Sequence, residues 1–228
     1  TGSYYPLGRL TVNLAPADLP KEGNAFDLPI AIGLLRMSGQ IYTEKLEETV
    51  MLGELSLDGK IRPIKGVLPV AVEAKKQGFK YLIVPKENGA EAAVVEGIEI
   101  FAFDHLNQVK DWLENRGSME PLEVDVKSFF NQNGQSKVLD FSDVRGQENV
   151  KRGLEIAAAG GHNAVMVGPP GSGKTMMARR IPTILPPLSL EEALETTKIH
   201  SVSGILDGGK ALITSRPFRA PHHTVSDV

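Results

Sequence analysis

The sequence predicts an α/β protein built from two domains, and three observations lead to this prediction. Strand-like and helix-like apolar patterns alternate up to about residue 117. A stretch without apolar periodicity follows, in which Gly, Ser, Asn and Gln dominate. A glycine-rich loop then lies between a short apolar run and a helical pattern. We therefore predict one domain over residues 1–117, a linker over 118–138 and a second domain over 139–228.

In the first domain the elements follow one another closely. An alternating strand is predicted over residues 10–14, and a helix over residues 28–37, with Asp27 as its N-cap and Gly39 at its end. A hairpin is predicted over residues 51–64, with a two-residue turn at Asp58-Gly59. The remaining predictions in this domain are a helix over 67–77, a strand over 81–85, a helix over 90–95, a strand over 98–102 and a helix over 105–114.

The second domain is predicted to begin with a helix over residues 147–159, followed by a buried strand over 164–167. A helix over 175–181 leaves the glycine-rich loop, and Ser189 caps a further helix through Glu195. The acidic residues of that last helix are interpreted as a face in water. They are Glu191, Glu192 and Glu195.

Composition excludes several functional classes. The 228 residues are 41% hydrophobic and 23% charged, as in globular proteins large enough for more than one core. The absence of cysteine excludes disulfides, thiolate zinc sites and cysteine nucleophiles, and it fits the reducing cytoplasm. The net charge of −3 means that any contact with DNA would need a local basic patch. No apolar run approaches the roughly 18–20 residues that span a bilayer, so no membrane partner is predicted.

The glycine-rich loop carries the functional prediction. Its sequence, Gly168-Pro169-Pro170-Gly171-Ser172-Gly173-Lys174-Thr175, matches the phosphate-binding pattern G-x-x-x-x-G-K-[ST]. Glycines let successive backbone N–H groups point at phosphate oxygens, and the following helix adds its positive end. Lys174 is predicted to reach the β and γ phosphates and the Thr175 hydroxyl to ligate Mg²⁺, so the expected cofactors are ATP and Mg²⁺. The alternative is a Gly/Pro-rich turn before a helix.

A hydrolytic centre is not predicted. Such an ATPase needs a second apolar strand that ends in Asp or Asp-Glu and holds Mg²⁺ through water. No such strand follows Thr175, and Leu206-Asp207 lacks a buried run before it. We expect a fragment that binds ATP or ADP and hydrolyses ATP negligibly, and no residue is assigned as catalytic.

Two histidine-containing stretches leave alternatives open. His222-His223 lies near Arg216 and Arg219, which suits a hydrogen-bonded loop, a subunit contact or a DNA contact. A shared metal is disfavoured, because adjacent residues of a strand point to opposite faces. His162, after two glycines, is interpreted as a turn or cap residue.

Taken together, the motifs resemble the ComM/YifB family of magnesium-chelatase-like AAA+ ATPases. The resemblance implies a Lon-protease-C-terminal-like (S5-like) α+β domain followed by an incomplete P-loop AAA+ α/β domain. It also implies a DNA-remodelling motor that forms a hexamer-like homo-oligomeric ring at full length, with Val144, Arg145 and Gly146 near adenine. The stretches that carry it are Asn13-Leu14-Ala15-Pro16-Ala17-Asp18, Lys21-Glu22-Gly23, residues 26–33, 143–148 and 157–163, and Arg216-Pro217-Phe218-Arg219-Ala220-Pro221-His222-His223-Thr224.

The same resemblance predicts that the first domain is not a peptidase. Lon-type peptidases use a Ser nucleophile and a Lys, and Ile30 and Leu68 stand at the matching positions. Ser38 lies at the far end of the helix that contains Ile30, and Lys65 is interpreted as a solvated charge. The alternatives to a DNA motor are a chelatase-type motor acting on a tetrapyrrole and a nucleotide-gated binding module without motor activity.

Overall fold

The computed structural model describes residues 2–4, 8–14, 23–131, 139–206 and 210–221. The chain divides into two compact units. One contains Thr1–Val126 and Leu194–Leu212, and the other contains Lys127–Ala193 and Ile213–Val228. Part of the family resemblance, over residues 15–22, lies outside the described residues, as does His222-His223.

The first unit is a mixed α/β structure around a parallel sheet, which confirms the predicted class. Its elements in chain order are α1 (Asp27–Met37), β1 (Thr49–Met51), β2 (Glu54–Leu55), β3 (Ile61–Arg62), α2 (Val67–Lys76), β4 (Tyr81–Pro85), α3 (Gly89–Ala92), β5 (Glu99–Phe103) and α4 (Leu106–Leu113). Strands β1, β4 and β5 form the parallel sheet in the order β1-β4-β5, with Thr49 opposite Tyr81 and Tyr81 opposite Glu99.

Helices cover both faces of this sheet. Successive residues of a strand point to opposite faces, so Ile83 packs with α1 and α4 whereas its neighbours Leu82 and Val84 pack with α2. Strand β4 is therefore apolar along almost its whole length, as is typical of a parallel strand buried on both faces. The sequence 81–85 was predicted as a strand with these bounds, and the prediction is confirmed.

The predicted hairpin exists, but it is shorter and has a different turn. Within residues 51–64, all of which the structure describes, β2 and β3 are the strands that pair, and they are antiparallel. Their loop has three residues, because the Ser56 N–H donates to the Lys60 carbonyl oxygen at 2.9 Å, and the Gly59 N–H donates to Ser56 at 2.9 Å. Gly59 has φ of 89°, the left-handed conformation that completes a three-residue loop of this kind.

Two local predictions near the N-terminal end are wrong. Residues 10–14 form no strand. Val12 and Leu14 are 54% and 42% exposed, so the alternation of apolar and polar residues in this segment does not produce a buried face. Asp27 is the first residue of α1 and not its cap. Its carboxylate instead accepts a hydrogen bond from the Leu55 N–H at 3.3 Å. The helix does end at the predicted glycine, since Gly39 has φ of 71°.

The two positions that resemble a peptidase dyad differ in their burial. Leu68 is fully buried and packs with the other buried residues of α2. Ile30 is only half-buried, so it is not one of the residues that fill the space below its helix. The core face of α1 consists instead of Leu28, Ile32 and Leu35. Ser38 follows α1, and its hydroxyl donates to the Leu34 carbonyl oxygen at 2.8 Å.

The described part of the second unit contains helices α5 (Val126–Asn131, which begins at the unit boundary), α6 (Glu148–Gly160) and α7 (Lys174–Ala178). Helix α8 (Leu190–Ser203) begins in this unit and continues, from Leu194, in residues of the first. Helix α5 lies inside the stretch 118–138 that the sequence predicts as a linker. Among the described residues, no helix is both long and apolar enough to cross a membrane.

A buried polar network holds the second half of α8 within the first unit. Glu91, 6% exposed, accepts hydrogen bonds from the Leu68 N–H at 3.0 Å, from the Asn88 amide at 3.1 Å and from the Ser201 hydroxyl at 2.5 Å. Ser201 is 3% exposed, and Leu194 packs against the α2 side of the core. The first unit is thus built from two distant segments of sequence.

Replacing Ser201 with Ala is expected to destabilise the first unit by about 1–3 kcal/mol, because Glu91 then keeps a buried carboxylate with one donor fewer. Urea unfolding followed by the fluorescence of Trp112, the one tryptophan of the sequence, measures this free energy. Ser203→Ala, an exposed serine of the same helix, is the matched control and should change stability by less than about 0.5 kcal/mol. Equal stability of the two variants would show that the hydrogen bond from Ser201 to Glu91 contributes nothing.

Candidate functional site

The candidate site is the glycine-rich loop of the second unit, and its backbone explains the choice of residues. Gly171 and Gly173 have φ of 80° and 86°, in the left-handed region that glycine adopts without strain. A Cβ atom at Gly168 would lie 3.0 Å from Ser172 Oγ, so a larger residue would crowd the loop. The loop therefore needs its glycines for the bends and for the close approach of its own atoms.

The Lys174 ammonium lies across this loop. Its Nζ atom is 2.7 Å from the Gly168 carbonyl oxygen, 2.9 Å from that of Pro169 and 3.2 Å from Ser172 Oγ. Each contact is a hydrogen bond that a positive donor makes to a neutral acceptor. An anionic phosphate oxygen is a stronger acceptor for the same donor, since the bond then joins two charged groups.

Backbone donors of the same loop are available to a ligand. Among the described residues, neither Gly171 nor Gly173 donates its N–H to an acceptor within hydrogen-bond distance. The first N–H groups of α7 lack intrahelical partners by helix geometry. An ammonium and several unpartnered N–H groups in one short loop are the donors that a phosphate chain requires.

Helix α6 and the residues before it support the loop. Phe141, Val144, Leu154 and Met177 form a small buried cluster. The Val144 side chain is only 4% exposed, whereas Arg145 and Gly146 are exposed. Of the three residues predicted near adenine, Val144 can therefore offer a ligand little besides its backbone. A cavity of about 590 Å³ lies between α6 and residues 163–169, and Lys174 is among the residues that line it.

The prediction of a buried strand before the loop is wrong. Residues 164–167 have no regular structure, and Val165 and Val167 are 88% and 94% exposed. A β-strand needs a neighbour to satisfy its backbone groups. The described residues of the second unit contain no strand that could pair with this run.

The remaining sequence predictions about polar residues are partly confirmed. His162 is a turn residue, since its N–H donates to the Ala157 carbonyl oxygen at 2.8 Å and closes the end of α6. Ser189 caps α8, because its hydroxyl accepts from the Glu192 N–H at 3.2 Å. Glu192 is more than a solvated carboxylate: Arg216 Nη2 lies 3.1 and 3.2 Å from its two oxygens.

Arg216 therefore has a structural partner. Its Nε also donates to the Pro186 carbonyl oxygen at 2.7 Å. The hydrogen bond from the Ser189 N–H and then the Arg216 guanidinium lower the pKa of Glu192. These contacts favour the hydrogen-bonded-loop interpretation for Arg216, while Arg219 is exposed.

A metal site is not formed by protein groups alone in the described residues, which contain no cluster of three or more His, Cys, Asp or Glu able to hold an ion. The exposed Thr175 hydroxyl makes no hydrogen bond there. It could serve as one ligand of an ion whose other ligands come from phosphate and water.

Sequence reasoning missed one contact of the loop. The Gln147 amide donates to the Ser172 carbonyl oxygen at 3.1 Å. Gln147 precedes α6 in a left-handed conformation, with φ of 58° and ψ of 37°, and its side chain does not cap the helix. Since Ser, Thr, Asp and Asn are the usual N-caps, a glutamine at this position is the signal that could have drawn attention to it.

The chain matches two family models and several relatives over long stretches. Residues 140–228 match the model described as magnesium chelatase, subunit ChlI, and residues 1–88 match the model described as subunit ChlI of Mg-chelatase. The uncharacterized protein YifB of Escherichia coli is 48% identical over 227 residues, which are 99% of this chain. The competence protein ComM of Haemophilus influenzae is 43% identical over 225 residues, 97% of the chain.

The chain belongs to the ComM/YifB magnesium-chelatase-like family. It spans less than half the length of these relatives, since the match covers 43% of YifB and 43% of ComM. Lon protease 2 of Bacillus subtilis is 36% identical over 98 residues, which are 42% of this chain and 17% of that protease. The phosphate-loop sequence lies inside the region that matches the magnesium-chelatase model.

Proposed function

We propose that this chain is the ATP-binding segment of an AAA+ ATPase of the ComM/YifB type. One observation carries the proposal: the Lys174 ammonium lies within 2.9 Å of two carbonyl oxygens of a loop in which the Gly171 and Gly173 N–H groups have no acceptor among the described residues. Lys174 is proposed to contact the β and γ phosphates of ATP or ADP. The loop N–H groups bind phosphate oxygens, and residues 144–146 lie near adenine.

Mg²⁺ is proposed to bind through the Thr175 hydroxyl and the phosphates of the nucleotide. The ion would neutralise phosphate charge when bound. Thr175 holds and orients it with one neutral oxygen, which suits an ion that keeps most of its water.

The domain organisation is also proposed. Residues 1–117 are assigned to a Lon-protease-C-terminal-like (S5-like) domain without the Ser-Lys dyad, 118–138 to a linker, and 139–228 to part of a P-loop AAA+ domain. Similarity to Lon protease 2 and the ChlI-type match of residues 140–228 support the assignment. The first compact unit also contains Leu194–Leu212, which lie inside the range 139–228, so the two units are not separated by a single boundary in the sequence.

For the whole protein we propose a cytoplasmic, ring-forming homo-oligomer that uses ATP to remodel DNA. The support is the relationship to ComM, which is named a competence protein. A chelatase-type motor is the second candidate, favoured by the names of both matching family models. The experiment that separates them is the ATPase rate of the full-length protein with single-stranded DNA, with branched DNA and with neither. Stimulation by DNA supports the first candidate, and an unchanged rate contradicts it.

The 228-residue chain itself is expected to bind ATP without appreciable turnover. No apolar strand ending in Asp or Asp-Glu follows Thr175 in this sequence, and no carboxylate of the described residues is hydrogen-bonded to the loop. No carboxylate of the described residues is therefore placed to orient an attacking water. Phosphate release should stay far below the roughly 1–100 s⁻¹ of working phosphoryl-transfer enzymes. A rate in that range, lost in Lys174→Ala, would contradict this expectation.

A further inference from the structure

Gln147 has a backbone conformation that few residues other than glycine adopt. It is one of two non-glycine residues with positive φ in the described part of the chain, and Asn115 is the other. For an L-residue with a long side chain this conformation is strained, and such strain persists where the surroundings require it. The residue before it, Gly146, has φ of 69°, so two consecutive left-handed residues introduce α6.

The contacts of Gln147 connect α6 with the phosphate loop. Its carbonyl oxygen accepts hydrogen bonds from the Val150 and Lys151 N–H groups, each at 3.0 Å, and so starts the helix. Its side-chain amide reaches the Ser172 carbonyl oxygen. The same amide nitrogen would lie 3.9 Å from a Cβ atom at Gly173, which places it against the loop backbone.

A bond to the Ser172 carbonyl also fixes the next N–H group. The peptide unit between Ser172 and Gly173 is planar and trans, so its C=O and N–H point in opposite directions. When Gln147 holds the carbonyl toward α6, the Gly173 N–H is turned away from α6. That N–H has no acceptor among the described residues.

We propose that Gln147 is a positioning residue of the nucleotide site, which holds the Ser172–Gly173 peptide so that the Gly173 N–H is presented to a phosphate oxygen. The inference rests on the proposed binding of nucleotide at this loop. Gln147 touches no phosphate itself. Its effect is to fix beforehand the orientation of a donor that a free loop would have to order on binding.

Two substitutions separate the side chain from the backbone. Gln147→Met keeps the length and the strained φ but removes the donor, whereas Gln147→Gly removes the donor and relieves the strain. Both should weaken binding of a fluorescent ADP analogue by roughly 2- to 10-fold, the equivalent of one neutral hydrogen bond. Inorganic tripolyphosphate, used as a competing probe, should lose affinity by a similar factor because the loss concerns phosphate contacts.

Thermal unfolding distinguishes positioning from a merely structural role. Gln147→Gly should leave the Tm unchanged or raise it while affinity falls. Asn115→Gly is the matched control, because it relieves left-handed strain in the first unit and should leave nucleotide affinity unchanged. A fall in both Tm and affinity for the two Gln147 variants would make the residue structural and overturn the inference.

The binding data also separate this inference from the proposed function. If the unsubstituted chain binds ADP and both Gln147 variants bind it equally well, only the role of Gln147 is overturned. If the unsubstituted chain binds neither ADP nor tripolyphosphate, the proposed nucleotide site fails and this inference fails with it.

Discussion

Replacing Lys174 with Ala is expected to weaken binding of ATP and ADP to the chain by roughly 10- to 150-fold. The substitution removes an ammonium whose hydrogen bonds to phosphate join two charged groups, each such bond being worth about 1.5–3 kcal/mol. In the free loop this ammonium contacts only neutral oxygens, at 2.7 to 3.2 Å. The bound state therefore loses more than the free state does, and the difference appears as affinity.

Isothermal titration calorimetry of both proteins with ADP measures the change directly. Lys76→Ala is the matched control, since Lys76 lies on α2 of the first unit with a side chain that is 78% exposed. It removes the same charge from the chain and should leave the affinity within about twofold. Unchanged ADP affinity in the Lys174 variant would contradict the assignment of the phosphate loop.

The elements of the first unit that sequence predicted well are those whose signals are local. Helix α2 shows an amphipathic period followed by Gly78, and β4 is a continuous apolar run. Strand β1 could not be recognised in this way. Its partner β4 begins 32 residues later, and parallel pairing leaves no turn signal between the two strands. Of its three residues, only Met51 falls inside the predicted hairpin, and Thr49 and Val50 were assigned to no element.

The second unit shows the limit of the same reasoning. The run 164–167 has the apolar residues of a strand, yet Val165 and Val167 are exposed and only Met166 packs against a neighbouring cluster, because an apolar pattern predicts burial only where a neighbouring surface exists. Helix α8 presents the reverse case. Ser189 predicted its start, but nothing in the sequence indicated that Ser201 would bond to Glu91, 110 residues away.

The candidate site was predictable to a similar degree. The residues of the phosphate loop follow from one motif, since the glycines allow the bends of the backbone and Lys174 supplies the positive charge for phosphate. The contact from Gln147 depends on a left-handed backbone and on the packing of α6 against the loop, so it could be found only in the three-dimensional structure. Sequence identifies the groups that bind a ligand more readily than the groups that hold them in place.

Restoring a Ser-Lys pair, by Ile30→Ser together with Leu68→Lys, is expected to destabilise the first unit strongly and to give no peptide hydrolysis. Leu68 is fully buried, and its N–H is bonded to Glu91. Truncating such a leucine to alanine alone costs about 2–5 kcal/mol. A lysine there must bury an ammonium or lose its proton, and either process adds to the loss of packing.

Trp112, 6% exposed and part of the core beside α1 and α4, reports unfolding of this unit. Urea titrations should show Leu68→Lys less stable than the unsubstituted chain by at least the leucine-to-alanine cost. Leu68→Met, which conserves volume, should cost less than about 1.5 kcal/mol. A Leu68→Lys variant as stable as Leu68→Met would contradict the burial on which the argument rests.

Peptide hydrolysis is tested with casein and a fluorogenic peptide in the presence of ATP, on the unsubstituted chain and on the double variant. Neither should cleave. A nucleophilic hydroxyl needs a neutral amine within hydrogen-bond reach, and the unsubstituted chain offers an isoleucine and a leucine at those positions. In the double variant the two groups return, but the half-buried position 30 and the fully buried position 68 belong to a core packed for apolar side chains.

Cleavage by the unsubstituted chain that survives rigorous removal of contaminating proteases would overturn the loss of peptidase chemistry. Cleavage that appears only in the double variant would show that the two substitutions alone separate this domain from a working peptidase.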